Sequence, residues 1–346
     1  MTTDSLGFLD AVRGLPEQLA AAHEVALGIS ASDLPSASEI DHVVVVGMGG
    51  SGIAGNVLDA VSSGVLSVPV TVLKQMRTPA FVGPRSLVFA VSYSGGTEET
   101  LSMAAGCLDA GAQVVAVTCG GELGALVHAR GRMVVPCPEG LMPRSALGAL
   151  VAPLFGTLAR IGLVPDGSTL LDQAQEQLSR RRDSCRPEVE GAANPAREIA
   201  RRIDRTIPLI YGGGALGAVA AYRWKCDVNE NAKAPAFWNA HPELDHNEIC
   251  GWGQHGDVTR QVFTLVELRH GFEHERLAPR FAITTELVEE ALNQVISVSA
   301  DGEGRLAQVL DLMYLGDWVS CYLALANDVD PGPIDAIAQL KERLGG

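Results

Sequence analysis

Lysine and arginine are scarce in this chain of 346 residues: 26 stand against 41 aspartates and glutamates, a net charge of −15. Nucleic acid and anionic membrane both need a positive surface, so neither is an expected partner. A small anion stays possible, because backbone N–H groups can hold one locally. Paired cysteines are missing too. The seven cysteines stand at 107, 119, 137, 185, 226, 250 and 321, with no Cys-x-x-Cys. This pattern predicts reduced thiols in a cytoplasmic protein, and neither a disulfide framework nor a zinc site. The N-terminus carries Asp4 and Asp10 and no basic-then-apolar leader. The longest uncharged apolar stretches, 146–159 and 207–222, are shorter than a membrane span and broken by proline or glycine, so both read as buried elements.

What is abundant is glycine, 38 residues, with no Gly-X-Y period. Tight turns and close backbone approaches follow from it, not a fibre. Apolar positions over 6–29 recur at helical spacing and predict an amphipathic pair of helices. Runs at 42–46, 68–73, 86–91, 112–117 and 132–135 read as buried strands, with helical patterns between them. That alternation implies βαβ units and a doubly wound parallel sheet. Residues 165–195 are more polar and include Arg180, Arg181 and Arg182, a solvated face on the simplest reading. A strand at 207–211 then restarts the pattern, with further strands expected at 262–267 and 281–285 and helices at 306–325 and 333–344. Gly47, Gly49 and Gly52 recur 165 residues later as Gly212, Gly214 and Gly217, each set after a strand and opening a helix. Duplication of one α/β unit explains this. The expected organisation is a first domain over 1–164, a helical linker over 165–195 and a second domain over 196–346.

Gly47-x-Gly-x-x-Gly52 fits the dinucleotide fingerprint literally. That fingerprint also needs an acidic residue after the second strand, where only Lys74 and Gln75 occur. There is no GxxxxGK[ST] either, which argues against nucleoside triphosphates. Ser92-Tyr-Ser-Gly-Gly-Thr97 leaves a strand and enters a helix, so its N–H groups face an anion. Three hydroxyls there suit a phosphate monoester; simple helix capping would need one. Asn229-Glu-Asn-Ala-Lys233 closes the helix of the second glycine unit, where the helix dipole disfavours a carboxylate. Nearby stands His241-Pro-Glu-Leu-Asp-His246-Asn-Glu248, whose spacing is not that of a zinc helix. His270 and His274, four apart in a charged segment, read as another solvated face. Arg144 and Lys341 would each pass alone as a snorkelling or dipole-complementing cation.

Taken together these motifs resemble the bifunctional phosphoglucose/phosphomannose isomerase family, built from two sugar isomerase (SIS) domains. The residues that carry the likeness are Gly47-Met-Gly-Gly-Ser-Gly52, Ser92–Thr100, Pro143-Arg144, Asn229–Lys233, His246-Asn-Glu-Ile249 and Leu340-Lys341. The resemblance implies two flavodoxin-like parallel-sheet subdomains related by duplication. It implies that Gly49, Gly50, Ser51, Ser92, Ser94 and Thr97 bind a hexose 6-phosphate. It makes Glu230 the base, His246 and Lys341 the ring-opening groups, and Arg144 the stabiliser of an enediolate. It also implies a homodimer in which His246 reaches the neighbouring site, and a reaction with no metal and no redox cofactor. The chain departs from the family pattern at Gly96, at Lys74–Arg77 and over Gly251–Val258.

Aldose–ketose isomerisation asks for this set of groups. Opening the cyclic sugar needs proton transfer at the ring oxygen and the anomeric hydroxyl, which suits a histidine. A base must move a proton between C2 and C1, and the enediolate charge must be stabilised where it develops. The phosphate supplies remote binding energy that holds C1 and C2 in place. Two other functions remain open on the residues alone. A non-catalytic sugar-phosphate regulator would keep the 92–97 loop without needing Glu230, His246 and Lys341 together. A nicotinamide-dependent oxidoreductase would use the first glycine loop.

Overall fold

The computed structural model describes residues 3–344, which fall into two compact units. One comprises 14–176 with 304–307; the other comprises the remaining described residues, 177–303 and the two ends of the chain.

The first unit is built on five parallel strands: β1 (His42–Val46), β2 (Val70–Leu73), β3 (Ser86–Val91), β4 (Gln113–Thr118) and β5 (Met133–Pro136). Their order in the sheet is β2-β1-β3-β4-β5. β3 is buried along its whole length, as continuous apolar sequence in a sheet covered on both faces requires. Between β1 and β3 the winding direction reverses, and a crevice opens there beyond the carboxyl ends of the strands. On one side of the sheet the helices Leu15–Leu27 and Leu147–Arg160 lie close together. A Cβ on Gly148 would fall 2.8 Å from the backbone N of Leu19, so only glycine permits the approach.

The second unit has four parallel strands, β6 (Ile207–Gly213), β7 (Phe237–His241), β8 (Phe263–Arg269) and β9 (Gln294–Ser299), in the order β7-β6-β8-β9. This repeats the order of the first four strands of the other sheet, as duplication predicts. The glycine triplets do the same work in both units. Gly49 and Gly214 open their helices at φ of +52° and +59°, a conformation that side chains resist. A Cβ on Gly47 would lie 2.8 Å from the carbonyl of Val91, and one on Gly212 would run into the backbone of Gly217.

Strand ends expected from sequence fall within two residues of those observed, with one reversal. Residues 281–285 are not a strand but part of the helix Leu277–Val288. Its β-branched run suggested a strand, yet Leu277, Phe281, Thr284 and Val288 are buried at helical spacing. The real strands nearby, β7 and β9, lie at the two edges of the sheet, where half-exposed, mixed-polarity sequence hides them. The arginine run is not simply solvated either. Arg181 is buried and holds Asp311 through Nε and Nη2 at 2.7 and 2.6 Å. His270 is buried as well, its Nε2–H donating to the carbonyl of Gly213 at 2.8 Å.

The helix Gly304–Ala326 has the length and composition of a membrane span, longer than any stretch noted from sequence, but 89% of its most apolar window is buried within the protein. It carries Asp311 and Asp317, both buried and both paired with arginine.

Candidate active site

In the first unit, two helices begin on either side of the β1/β3 crevice: Gly49–Ser62 after β1 and Glu98–Asp109 after β3. Neither N-cap residue, Met48 or Thr97, caps its helix with a side chain. No N-cap side chain therefore occupies the first-turn N–H groups of either helix, and both helix ends can donate to an anion. Thr97 is not spent on capping. Its hydroxyl pairs with that of buried Ser92 at 3.1 Å, and the Ser92 hydroxyl also accepts the N–H of Gly95 at 3.2 Å. Ser94 is exposed on the loop. The hydroxyl of Ser51, buried in the helix after β1, accepts the N–H of Tyr93 at 3.2 Å and so ties the two loops together.

Arg144 belongs to the same place. It lies in the turn Pro143–Ser145 and is 5% exposed. A Cβ on Gly50 would sit 3.0 Å from the carbonyl of Pro143 and 3.3 Å from the Cα of Arg144. Thus the segments that carry Gly49, Gly50 and Ser51, Ser92, Ser94 and Thr97, and Arg144, three separate stretches of sequence, lie against one another beyond the carboxyl ends of β1 and β3. The buried thiol of neighbouring Cys137 is pushed up to about 12 by burial, so it offers no nucleophile.

In the second unit, Glu230 is half-buried at the end of the helix Gly214–Asn231, as the sequence led us to expect. It lines a groove of 520 Å³ with Asn229, Lys233, Pro333 and Ile337, among others. Lys233, two residues past the end of the helix, has a φ of +53°. Lys341 is exposed on the helix Asp335–Leu344, whose first residues line that groove, though Lys341 itself does not. His246 is exposed at the end of the turn Glu243–His246, likewise outside the groove. Two residues on, Glu248 anchors this turn: its carboxylate accepts from the hydroxyl of Tyr211 and from Nδ2 of Asn239, each at 2.5 Å.

The sequence did not reveal what supports Glu230. One turn before it, Asp227 lies with Arg223 and Asp317 in the interior; Arg223 Nε is 2.8 Å from Asp227 and its Nη2 is 3.0 Å from Asp317. Burial holds Asp227 well above the usual carboxylate range. The charge of Arg223 opposes this and that of Asp317 reinforces it. Two carboxylates facing one buried cation are best served by one proton between them. An aspartate inside an apolar helix, such as Asp317, was the available signal.

Comparison with known proteins now decides the family. A "Bifunctional phosphoglucose/phosphomannose isomerase" of Caldicellulosiruptor bescii is 37% identical over 335 residues, covering 97% of this chain and 98% of its own. The chain belongs to the bifunctional phosphoglucose/phosphomannose isomerase family. The relative of the same name from Aquifex aeolicus is 32% identical, covering 87% of this chain and 90% of its own. Residues 192–344 match the family model of the bacterial phospho-glucose isomerase C-terminal SIS domain. The fold is shared more widely. The C-terminal domain of glucosamine-fructose-6-phosphate aminotransferase from Francisella tularensis superposes with a TM-score of 0.71 at 18% identity, over 94% of this chain and 97% of that one.

Proposed function

We propose that this protein is an aldose–ketose isomerase that interconverts glucose 6-phosphate, mannose 6-phosphate or both with fructose 6-phosphate through a cis-enediolate. The observation that carries this reading is a kinship with isomerases running over 97% of the chain, joined by the match of residues 192–344, the stretch that contains Glu230, His246 and Lys341, to the bacterial phospho-glucose isomerase C-terminal SIS domain. A sugar-phosphate regulator would need the loop alone.

In this reading the phosphate is held by the backbone of Gly49 and Gly50 and by the hydroxyls of Ser51, Ser92, Ser94 and Thr97. His246 and Lys341 pass protons to and from the ring and anomeric oxygens and open the sugar. Glu230 takes the proton from C2 and returns it to C1. Arg144, with a permanent charge and a fork that spans two oxygens, stabilises the enediolate. The two aldoses differ only at C2 and share that intermediate, so one base serves both. The domains are assigned as 1–164, which binds phosphate, and 196–346, which carries Glu230, His246 and Lys341, with 165–195 between them. The enzyme works in the cytoplasm as a homodimer, with His246 serving the neighbouring site.

A coupled assay started with fructose 6-phosphate and reading both glucose 6-phosphate and mannose 6-phosphate tests the proposal. Turnover to either aldose supports it; tight binding of fructose 6-phosphate without turnover would favour the regulator.

A further inference from the structure

Tyr93 stands between two proposed phosphate-binding hydroxyls, yet its own hydroxyl is engaged elsewhere. The residue is 6% exposed. Its phenol donates to the carbonyl of Pro138 at 2.7 Å and accepts the N–H of Leu141 at 2.8 Å. Its main-chain N–H donates to the hydroxyl of Ser51, and its carbonyl accepts the N–H of Cys119 at 3.0 Å. One residue thus joins the segments that follow β1, β3, β4 and β5. The last of these is the one that leads, through Met142 and Pro143, to Arg144.

A phenylalanine would fill the same space, so packing alone does not account for the hydroxyl. A buried phenol used on both its donor and acceptor sides by a single loop fixes that loop's conformation, and leaving either partner unmade is costly. Burial also pushes the phenol's pKa up, which keeps it protonated and able to donate.

We propose that Tyr93 is a positioning residue for Arg144: its hydroxyl fixes residues 138–141 so that Arg144 stands against Gly50, beside the anion loop. This rests on the role given to Arg144 above. The anchoring of the phosphate does not depend on the phenol, because the contact of Tyr93 with Ser51 is made by its backbone.

The test is a double-mutant cycle. Tyr93→Phe should lower kcat by about 10- to 100-fold, the penalty of a displaced catalytic group, with KM for fructose 6-phosphate changed by no more than about threefold. In an Arg144→Ala background, Tyr93→Phe should cost no further activity. A kcat within about twofold of wild type, or two losses that simply multiply, would overturn the proposal. Amide hydrogen exchange gives an arm that needs no turnover. Tyr93→Phe should speed exchange across residues 138–145 by about tenfold or more while leaving β1 and β3 protected; unchanged exchange counts against it. Should wild type fail to isomerise at all, the isomerase reading falls and this arm still decides the role of Tyr93. Should Tyr93→Phe fail to fold, the Leu141 amide of the wild-type protein decides: it should be protected, and rapid exchange there would refute the contact.

Discussion

Arg223 holds Asp317 through Nε and Nη2 at 3.1 and 3.0 Å, entirely in the interior, and the same guanidinium lies 2.8 Å from Asp227, one helical turn before Glu230. Removing the cation leaves the Asp317 and Asp227 pair without its counter-ion in a low-dielectric site. Arg223→Ala should therefore cost about 3–5 kcal/mol of stability. Asp227→Asn, which imitates the protonated acid, should cost less than about 1 kcal/mol. Urea unfolding of both variants checks the contrast, and equal losses would contradict it.

The same cluster sets a pH dependence with a definite sign. The pKa of Asp227 is raised in the folded state, above an unfolded value of about 3.9. Between the two values the folded protein binds more protons than the unfolded chain, so this contribution is present at low pH and is lost as pH rises. The stability of Asp227→Asn relative to wild type should accordingly grow as pH rises from about 4, then level off above the folded value. A difference that shrinks with pH would show that Asp227 is ionised in the fold.

Arg181 and Asp311 form a second buried pair, with two hydrogen bonds between them and a third to Asp311 from Nε2 of Gln177 at 2.8 Å. Asp311→Ala leaves the guanidinium without its main partner and should lower stability by about 3–5 kcal/mol. Calorimetry would show it as a drop of several degrees in Tm.

Ser92 marks the anion loop. Its hydroxyl bonds Thr97 and the N–H of Gly95, so Ser92→Ala loosens the loop and removes a donor together. KM for fructose 6-phosphate and the inhibition constant of inorganic phosphate should both rise, by about tenfold. A variant that lowers kcat and leaves phosphate affinity unchanged would place the phosphate elsewhere.

If His246 serves a neighbouring site, inactive variants should complement each other. Mixing Glu230→Gln with His246→Ala, after subunit exchange, should restore about a quarter of wild-type activity, because half the dimers are mixed and each holds one intact site. No recovery would mean that each chain supplies its own histidine.

Much of the fold was legible because its strongest signals are local. Four consecutive valines at 43–46 and the glycine triplets at 47–52 and 212–217 read as strand, turn and helix start, and they fold that way. The edge strands β7 and β9 were missed because an edge strand need not be uniformly apolar. Phe281–Thr285 misled because β-branched residues also serve a helix whose packing is set by neighbours distant in sequence. Residue type and spacing were enough to pick out Ser92, Ser94 and Thr97, whereas the work of Tyr93 depends on where Pro138 and Leu141 arrive in space. Partnerships such as Arg181 with Asp311 lie 130 residues apart in sequence and leave only the hint of a charge in an apolar helix.

The central claim is that Glu230 moves the C2 proton of a sugar phosphate, and solvent exchange at that carbon tests it most directly. Glucose 6-phosphate deuterated at C2 should lose its label to water with the wild-type enzyme. With Glu230→Gln it should bind with similar affinity and keep the label. Washout by that variant at the wild-type rate would contradict the account and send the search for the base to another residue.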